Sequence, residues 1–65
     1  MDLTKRYWVF VIYEYYPSGG FHDIELTTDD EGEATKFATD KYSKYTDVEV
    51  FDSKKLKIIF EKKND

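Results

Sequence analysis

The chain has 65 residues, of which 40% are hydrophobic, and a formal net charge of −4 from 14 acidic and 10 basic side chains. A chain of this length forms one domain at the low end of what folds alone, and its core supplies only about 3–5 kcal/mol. It has no Cys and one His, which excludes a disulfide framework and a structural zinc site and leaves oligomerisation as a source of stability. We expect a single domain over residues 1–65, with its core at about 6–61 and a frayed tail at 62–65.

The acidic balance argues against direct nucleic-acid binding, because such affinity depends on neutralising phosphates with basic side chains. It suits either a basic protein partner or a merely solvated surface. The first residues carry charge without an apolar stretch, and no apolar run approaches the ~20 residues of a membrane span. We therefore expect a cytoplasmic protein that does not span a membrane.

Residues 7–16 form the first predicted strand, because nearly all of them are β-branched or aromatic. The strand is apolar on both parities, which is typical of a central strand or of one whose second face meets a partner. Its pairing stays open between the following hairpin strand and the last strand of the chain. One parity holds Trp8, Phe10 and Ile12, and the other holds Tyr7, Val9, Val11, Tyr13 and Tyr15.

Pro17-Ser18-Gly19-Gly20 predicts a tight turn, since proline presets φ and glycine accepts positive φ. Residues 21–27 then alternate as a half-buried strand, with Ile24 and Leu26 inward and Asp23 and Glu25 outward. The turn and the two strands together predict a β-hairpin.

A helix is predicted from about residue 29 to 43. Thr28 and Glu31 have capping-box spacing, and acidic residues occupy the first turn, where the helix dipole favours them. Gly32 weakens that turn. The apolar stripe is narrow and includes Ala34 and Ala38, so the helix should approach a sheet closely and cover only one face of it.

Two further strands complete the fold. Residues 47–51 alternate with Val48 and Val50 inward, and a polar turn at 52–55 precedes the last strand. We expect Leu56, Ile58 and Phe60 to face inward and Ile59 to lie on the open side with Phe21 and Phe51. The predicted class is α+β, in the order ββαββ, with a four-stranded antiparallel sheet and one helix packed on one face.

The sheet therefore has more apolar surface than one helix can cover. Several exposed aromatic rings of about 150–250 Å² each reach the patch size at which exposed apolar surface marks an interaction site. The alternative is that the tyrosines lie flat among charged side chains and stay hydrated. We favour the interface, formed by the first strand, the adjoining turn and nearby acidic residues.

From Tyr15-Tyr16-Pro17-Ser18-Gly19-Gly20 to Asp23 the chain resembles a set of small phage and prophage proteins, mostly of unassigned function, with an aromatic first strand and a Tyr-Tyr-Pro-x-Gly-Gly hairpin. The likeness continues through Glu33-Ala34, Phe37-Ala38 and the strand that ends at Asp52. Phe21 stands where Trp is frequent in that set, and Asp29, Asp30 and Gly32 loosen the usual helix start. The resemblance implies a protein that inhibits a host enzyme or an antiphage defence in the bacterial cytoplasm.

The sequence offers little catalytic chemistry. A Ser18-His22 nucleophile pair would sit on a turn without a pocket or an oxyanion hole, so we expect no enzyme activity and no catalytic residue. His22, Asp23 and Glu25 are too few convergent ligands for a metal, and no cofactor is expected. The Gly19-Gly20 turn could hold a phosphate through its backbone, but it opens no helix, and a plain hairpin turn is the favoured interpretation. Acidic residues at 23–33 could imitate a DNA backbone, although complementation of the helix dipole together with a solvated strand face is the favoured interpretation.

We therefore predict a non-enzymatic, phage-type binding protein that inhibits a host or defence protein and forms a homodimer through its sheet. The alternatives are a homodimeric protein that sequesters a small molecule or nucleotide, and an accessory or structural phage subunit. The predicted partner-binding residues are Tyr7, Tyr13, Tyr15, Tyr16, Pro17, Gly19, Gly20, Phe21, His22, Asp23 and Glu25.

Overall fold

The structure is a computed structural model that describes residues 2–13 and 23–64. In these two ranges, four strands form one antiparallel sheet and a single helix packs on one face of it, which confirms the predicted α+β class and the ββαββ order. The predicted extensions of the first hairpin into residues 14–22 lie outside the described part of the chain. The elements are β1 (Tyr7–Tyr13), β2 (Ile24–Thr28), α1 (Glu31–Lys41), β3 (Thr46–Asp52) and β4 (Lys57–Lys62).

The strand order is β2-β1-β3-β4, so β1 lies in the interior of the sheet, between β2 and β3. This agrees with the central position that its apolar pattern on both parities indicates. The last strand pairs with β3 and not with β1, so that alternative is wrong. Both β2 and β4 are edge strands of the described sheet.

The core lies between α1 and the sheet. On β1 the tyrosine parity faces the helix, with Val9 and Val11 buried beside Val48 and Val50 of β3. The helix contributes Ala34 and Ala38, both fully buried, and the short alanine side chain brings the helix backbone close to the sheet. The predicted narrow stripe is confirmed, and within residues 2–13 and 23–64 no helix covers the opposite face of the sheet.

A β-bulge in β4 changes which residues of that strand face the core. Val50 pairs with Phe60 but Phe51 pairs with Ile58, so Ile59 is an extra residue on β4. Ile59 and Phe60 both pack against the core, whereas Ile58 is 47% exposed. The prediction that Ile58 faces inward and Ile59 outward is therefore wrong, because a strict two-residue alternation cannot foresee an inserted residue.

The prediction for Leu56 is also wrong. Leu56 lies in the turn before β4 and is 76% exposed. It has a positive φ of 57°, and its backbone N–H donates to the Asp52 carbonyl. A residue in this left-handed conformation does not continue the alternation of the strand that follows.

A second register shift lies between β1 and β2. Val9 pairs with Leu26 and Phe10 pairs with Ile24, so Glu25 is the extra residue. Leu26 packs against the core beneath the helix, as predicted, whereas Ile24 is buried opposite Phe10. Because directly paired residues share a face, Ile24 lies with Phe10 on the face opposite the helix, so the prediction that Ile24 faces inward with Leu26 is wrong.

The helix begins at Glu31, about two residues later than predicted. Asp30 is the N-cap, and its carboxylate accepts the backbone N–H of Glu33 at 3.1 Å. Thr28 instead accepts the backbone N–H of Asp30 through its hydroxyl at 3.1 Å. The helix ends at Lys41, with Tyr42 as an extended C-cap. The capping box predicted between Thr28 and Glu31 is therefore replaced by an Asp30 cap.

Candidate binding surface

The sheet face opposite the helix carries a continuous set of large apolar side chains, which we call the open face. Strand alternation puts them on the side away from the buried valines, and most of them are half-buried, with Ile58 more exposed. Four strands about 4.8 Å apart and about seven residues long give a face of roughly 400 Å². The half-buried or exposed apolar residues of the open face are Trp8, Phe10, Ile12, Phe51 and Ile58, and Ile24, which pairs with Phe10, is buried on the same side of the sheet.

These side chains form an L-shaped surface. One arm runs across three strands, because Trp8 pairs with Phe51 and Phe51 pairs with Ile58. The ring centroids of Trp8 and Phe51 are 5.4 Å apart at an angle of 45°, and the Trp8 indole N–H donates to the Lys5 carbonyl at 2.7 Å. The other arm follows β1 through Phe10 to Ile12. The tilted aromatic contact and the hydrogen bond fix the position of Trp8, the residue at which the two arms meet.

Beside the two apolar arms, the part of this face on β3 and β4 is charged, and we call it the acidic corner. Asp47 pairs with Ile12, Glu49 pairs with Phe10, and Glu61 pairs with Glu49, so three carboxylates adjoin the apolar arms. The Lys63 ammonium lies 3.1 Å from a Glu49 carboxylate oxygen and 3.7 Å from one of Glu61. The hydrogen bond to Glu49 and the charges of both carboxylates raise the pKa of Lys63.

Asn64, two residues after β4, also contacts this corner. Asn64 donates its backbone N–H to the Asp47 carboxylate at 2.9 Å, and its side-chain amide donates to the same carboxylate at 3.1 Å and to the Ser43 carbonyl at 2.9 Å. Lys62 is the last residue of β4. In the segment where a frayed tail was predicted, Lys62 therefore belongs to β4 and Asn64 makes three hydrogen bonds.

Four of the predicted partner-binding residues lie in the described part of the chain, and three of them, Tyr7, Tyr13 and Glu25, lie on the helix side of the sheet, away from the open face. Tyr7 belongs to the core and is 5% exposed, and Asp23 is 7% exposed. Tyr13 is on the helix-facing parity but beyond the core, where its hydroxyl donates to Glu25 at 2.8 Å. The other seven lie outside the described residues: Tyr15, Tyr16, Pro17, Gly19, Gly20, Phe21 and His22.

The Tyr13–Glu25 contact depends on the bulge in β2, since Glu25 is the inserted residue. The hydrogen bond to the Glu25 carboxylate and partial burial raise the pKa of the Tyr13 phenol. Both side chains are exposed, so the pair forms a small polar spot on the rim of the helix side.

The opposite end of the sheet is held by a partly buried ion pair. Arg6 donates from Nε and Nη2 to the two carboxylate oxygens of Asp52, at 3.0 and 2.9 Å, and Asp52 is only 1% exposed. Asp52 also accepts the backbone N–H groups of Lys54 and Lys55. These bonds, the one from Arg6 above all, lower the pKa of Asp52 to about 2. Such a fork-to-fork pair fixes the geometry of both groups.

The same end links the sheet to the start of the helix. The Arg6 guanidinium lies 5.0 Å from the centroid of the Tyr7 ring, and the Tyr7 hydroxyl donates to Glu31 at 3.3 Å. Burial raises the pKa of Tyr7. Asp29 accepts the backbone N–H of Arg6 at 2.9 Å. Asp29 and Glu31, near the helix start, thus take part in contacts within the chain.

An open groove of about 410 Å³ lies beside β2, and its described lining is Ile24, Glu25, Leu26 and Thr27. All four residues belong to one edge strand, whereas small-molecule sites are concave and gather polar groups from several elements. Within residues 2–13 and 23–64, no three His, Asp or Glu side chains converge as metal ligands do. In the same ranges, the helix is too short and too polar to cross a membrane.

The apolar residues of the open face are absent from the predicted site, although the sequence contained a signal for them. On β1 one parity is mostly valine and tyrosine and the other is Trp8, Phe10 and Ile12. The helix stripe is built on alanine, which fits closely only over small side chains such as valine. That size match could have assigned the valine parity to the helix and the Trp8 parity to the open face.

A scan against protein-family models matches residues 7–62 to the family described as bacteriophage T4 protein Y07C. Searches of curated proteins and of solved structures return no match. The predicted kinship with small phage proteins is confirmed at the level of the family. Because the match spans all four strands and the helix, the chain belongs to the family of bacteriophage T4 protein Y07C.

Proposed function

We propose that this phage-family protein acts by binding without catalysis, and that it inhibits a host or antiphage-defence protein by docking on it through the open face. The observation that carries the proposal is the apolar L of Trp8, Phe10, Ile12, Phe51 and Ile58 on the sheet face that lies opposite the helix. Aromatic side chains are the residues that most often anchor protein interfaces.

The surface is also preorganised. The five side chains stand on strands, and the central one, β1, pairs with neighbours on both sides. Residues on regular elements lose little conformational entropy when a partner binds, which favours affinity for a given buried area. Trp8 is further held by its indole hydrogen bond to the Lys5 carbonyl.

The proposal is tested by capture from a bacterial host lysate with three immobilised proteins: the wild type, a Phe10→Ser variant and a Tyr45→Ser variant. Tyr45 is an exposed aromatic residue outside the open face, so its replacement is a matched control. We expect a discrete host protein to bind the wild type and Tyr45→Ser and to be lost with Phe10→Ser. Circular dichroism checks that each variant is folded.

The activity of the captured protein is then measured with and without added chain, since inhibition requires more than retention. Loss of its activity at stoichiometric chain, but not with Phe10→Ser, is the expected result. Capture that does not depend on Phe10, or a captured protein that keeps full activity, contradicts the proposal. A ligand that absorbs at 260 nm and co-purifies with the chain would favour the sequestering alternative instead.

A further inference from the structure

We infer that the open face and its acidic corner together dock a basic, amphipathic segment of a partner protein. Apolar side chains of the segment cover the L of Trp8, Phe10 and Phe51, and its lysine or arginine enters the acidic corner. This inference rests on the proposed function, because it names the chemistry of the partner that the open face takes.

The size of the open face favours one segment over a second folded domain. A stable interface buries about 800 Å² of accessible surface on each partner. A folded partner would therefore extend beyond this face, whose flat footprint is roughly 400 Å². An extended strand or a short helix of a partner fits within this area. An apolar arm beside a charged corner matches a segment with apolar side chains on one side and a basic group on the other.

The acidic corner already binds an ammonium group. Lys63 lies within 3.1 Å of Glu49 and 3.7 Å of Glu61, although it follows the end of β4 and its side chain is half exposed. Its position shows where a cationic side chain is stabilised on this face. A partner's lysine or arginine would share this place with Lys63 or replace it, gaining charge-assisted hydrogen bonds to the same carboxylates.

Charge argues against a second copy of the chain on this face. Among the described residues assigned to the open face and its corner, three are acidic and one is basic, namely Asp47, Glu49, Glu61 and Lys63. A two-fold copy brings the same surplus of carboxylates and no additional ammonium to match it. Each protomer also has a net charge of −4, so two copies repel each other.

The chain contains its own reporter for this test, because Trp8 is its only tryptophan and lies on the open face. Three peptides of about ten residues, free of aromatic residues, serve as probes: alternating lysine and valine, alternating glutamate and valine, and alternating lysine and serine. We expect saturable binding and a blue shift of Trp8 emission with the lysine-valine peptide alone. Equal binding of the glutamate-valine peptide overturns the inference.

Variants of the corner give effects of opposite sign. Glu49→Gln with Glu61→Gln should weaken binding of the lysine-valine peptide roughly 3- to 10-fold, the range of one or two partly exposed ion pairs. Lys63→Gln removes the internal ammonium and should tighten binding about 2- to 5-fold by the same interaction. Unchanged or weaker binding with Lys63→Gln overturns the role of the corner, since loss of structure alone cannot tighten binding.

A charge-matched control removes two exposed carboxylates from the helix, Glu33→Gln with Asp40→Asn, and should leave the affinity unchanged. Equal weakening in this control shows a general charge effect and overturns the inference. Sedimentation of the wild type alone tests a second copy, and a dimer that is lost with Phe10→Ser assigns the face to that copy. If host capture depends on Phe10 while the lysine-valine peptide does not bind, the proposed function stands and only the partner chemistry is wrong.

Discussion

The two faces of the sheet differ in how their side chains are packed. The centre of the helix-covered face is made of valine and alanine, of which Val9, Val48, Val50, Ala34 and Ala38 are fully buried, and larger side chains such as Leu26 and Phe60 pack against them. The open face is made of larger side chains, and Ile58 at its end is nearly half exposed. Strand β1 contributes alternate residues to both faces, so one strand supplies the core and the proposed docking surface.

This difference separates stability from recognition. Small side chains allow close approach of the helix and give dense packing, in which even one methylene matters. Large aromatic side chains on the other face retain accessible area that a partner can bury. Substitutions on the covered face should therefore change the free energy of unfolding, and those on the open face should mainly change binding.

The largest loss of stability is expected at Asp52, at the end of β3 on the covered side. Asp52→Asn leaves the Arg6 guanidinium beside a neutral group and weakens acceptance from Lys54 and Lys55. The folded-state pKa of Asp52 is about 2, below its ordinary value of 3.8, so its contribution is full above about pH 4 and is lost as the pH falls towards 2. Urea unfolding of wild type and variant between pH 2 and 7 measures this.

The wild-type stability should fall more steeply than that of Asp52→Asn over the same acid range. Parallel pH profiles for the two proteins would show that the ion pair contributes nothing to that slope.

A matched pair of deletions compares the two faces directly. Val50→Ala removes fully buried methyl groups and should lower the free energy of unfolding by about 2–3 kcal/mol. Ile58→Thr, on the open face, keeps a β-branched side chain and should cost less than about 1 kcal/mol. Chemical denaturation curves measure both values, and similar losses would contradict the assignment of Ile58 outside the core.

Enlarging the helix stripe tests its close approach to the sheet. Ala38→Leu adds volume at a fully buried position and should destabilise the fold by about 1–3 kcal/mol through overpacking. Lys36→Leu, at an exposed position of the same helix, should stay within about 0.5 kcal/mol of the wild type. Thermal melts followed by circular dichroism compare the two, and a neutral Ala38→Leu would show unfilled space beneath the helix.

The helix cap should have the smallest effect in this series. Asp30→Ala removes the acceptor for the Glu33 backbone N–H and should cost about 1 kcal/mol. Thr28→Ser keeps the hydroxyl that accepts from Asp30 and serves as the control. A loss at Asp30 no larger than that of Thr28→Ser, measured by thermal unfolding, would show that the cap does not limit stability.

Much of the fold could be predicted from residues because the signals are local. Alternation in β3, the alanine stripe of α1 and the acidic residues near Asp30 each depend on near neighbours in the chain. The order and type of all five elements followed from these signals. The candidate surface was predicted less well: the sequence indicated an uncovered apolar face, but the choice of Tyr7 and Tyr13 for it did not agree with the parity that the structure shows.

The bulges explain most of the remaining differences. Each inserts one residue into a strand, which reverses the facing of the residues beyond it, and this happens at Ile59 in β4 and at Glu25 in β2. Neither residue carries a sequence signal for insertion. Ile59 therefore packs on the core while Ile58 extends the open face, the opposite of what alternation alone predicts.

The sequence by itself determined that this chain forms two strands, one helix with a narrow alanine stripe and two further strands. It also determined that apolar surface on the sheet would remain uncovered by that helix. Periodicity and side-chain size along the chain suffice for that. Only the tertiary structure decided that β1 pairs with β3 on its other side, that its valines face the helix, and that Asp47, Glu49 and Glu61 meet beside Phe10 and Ile12. These features depend on register between strands distant in sequence, where a shift of one residue moves a side chain to the other face.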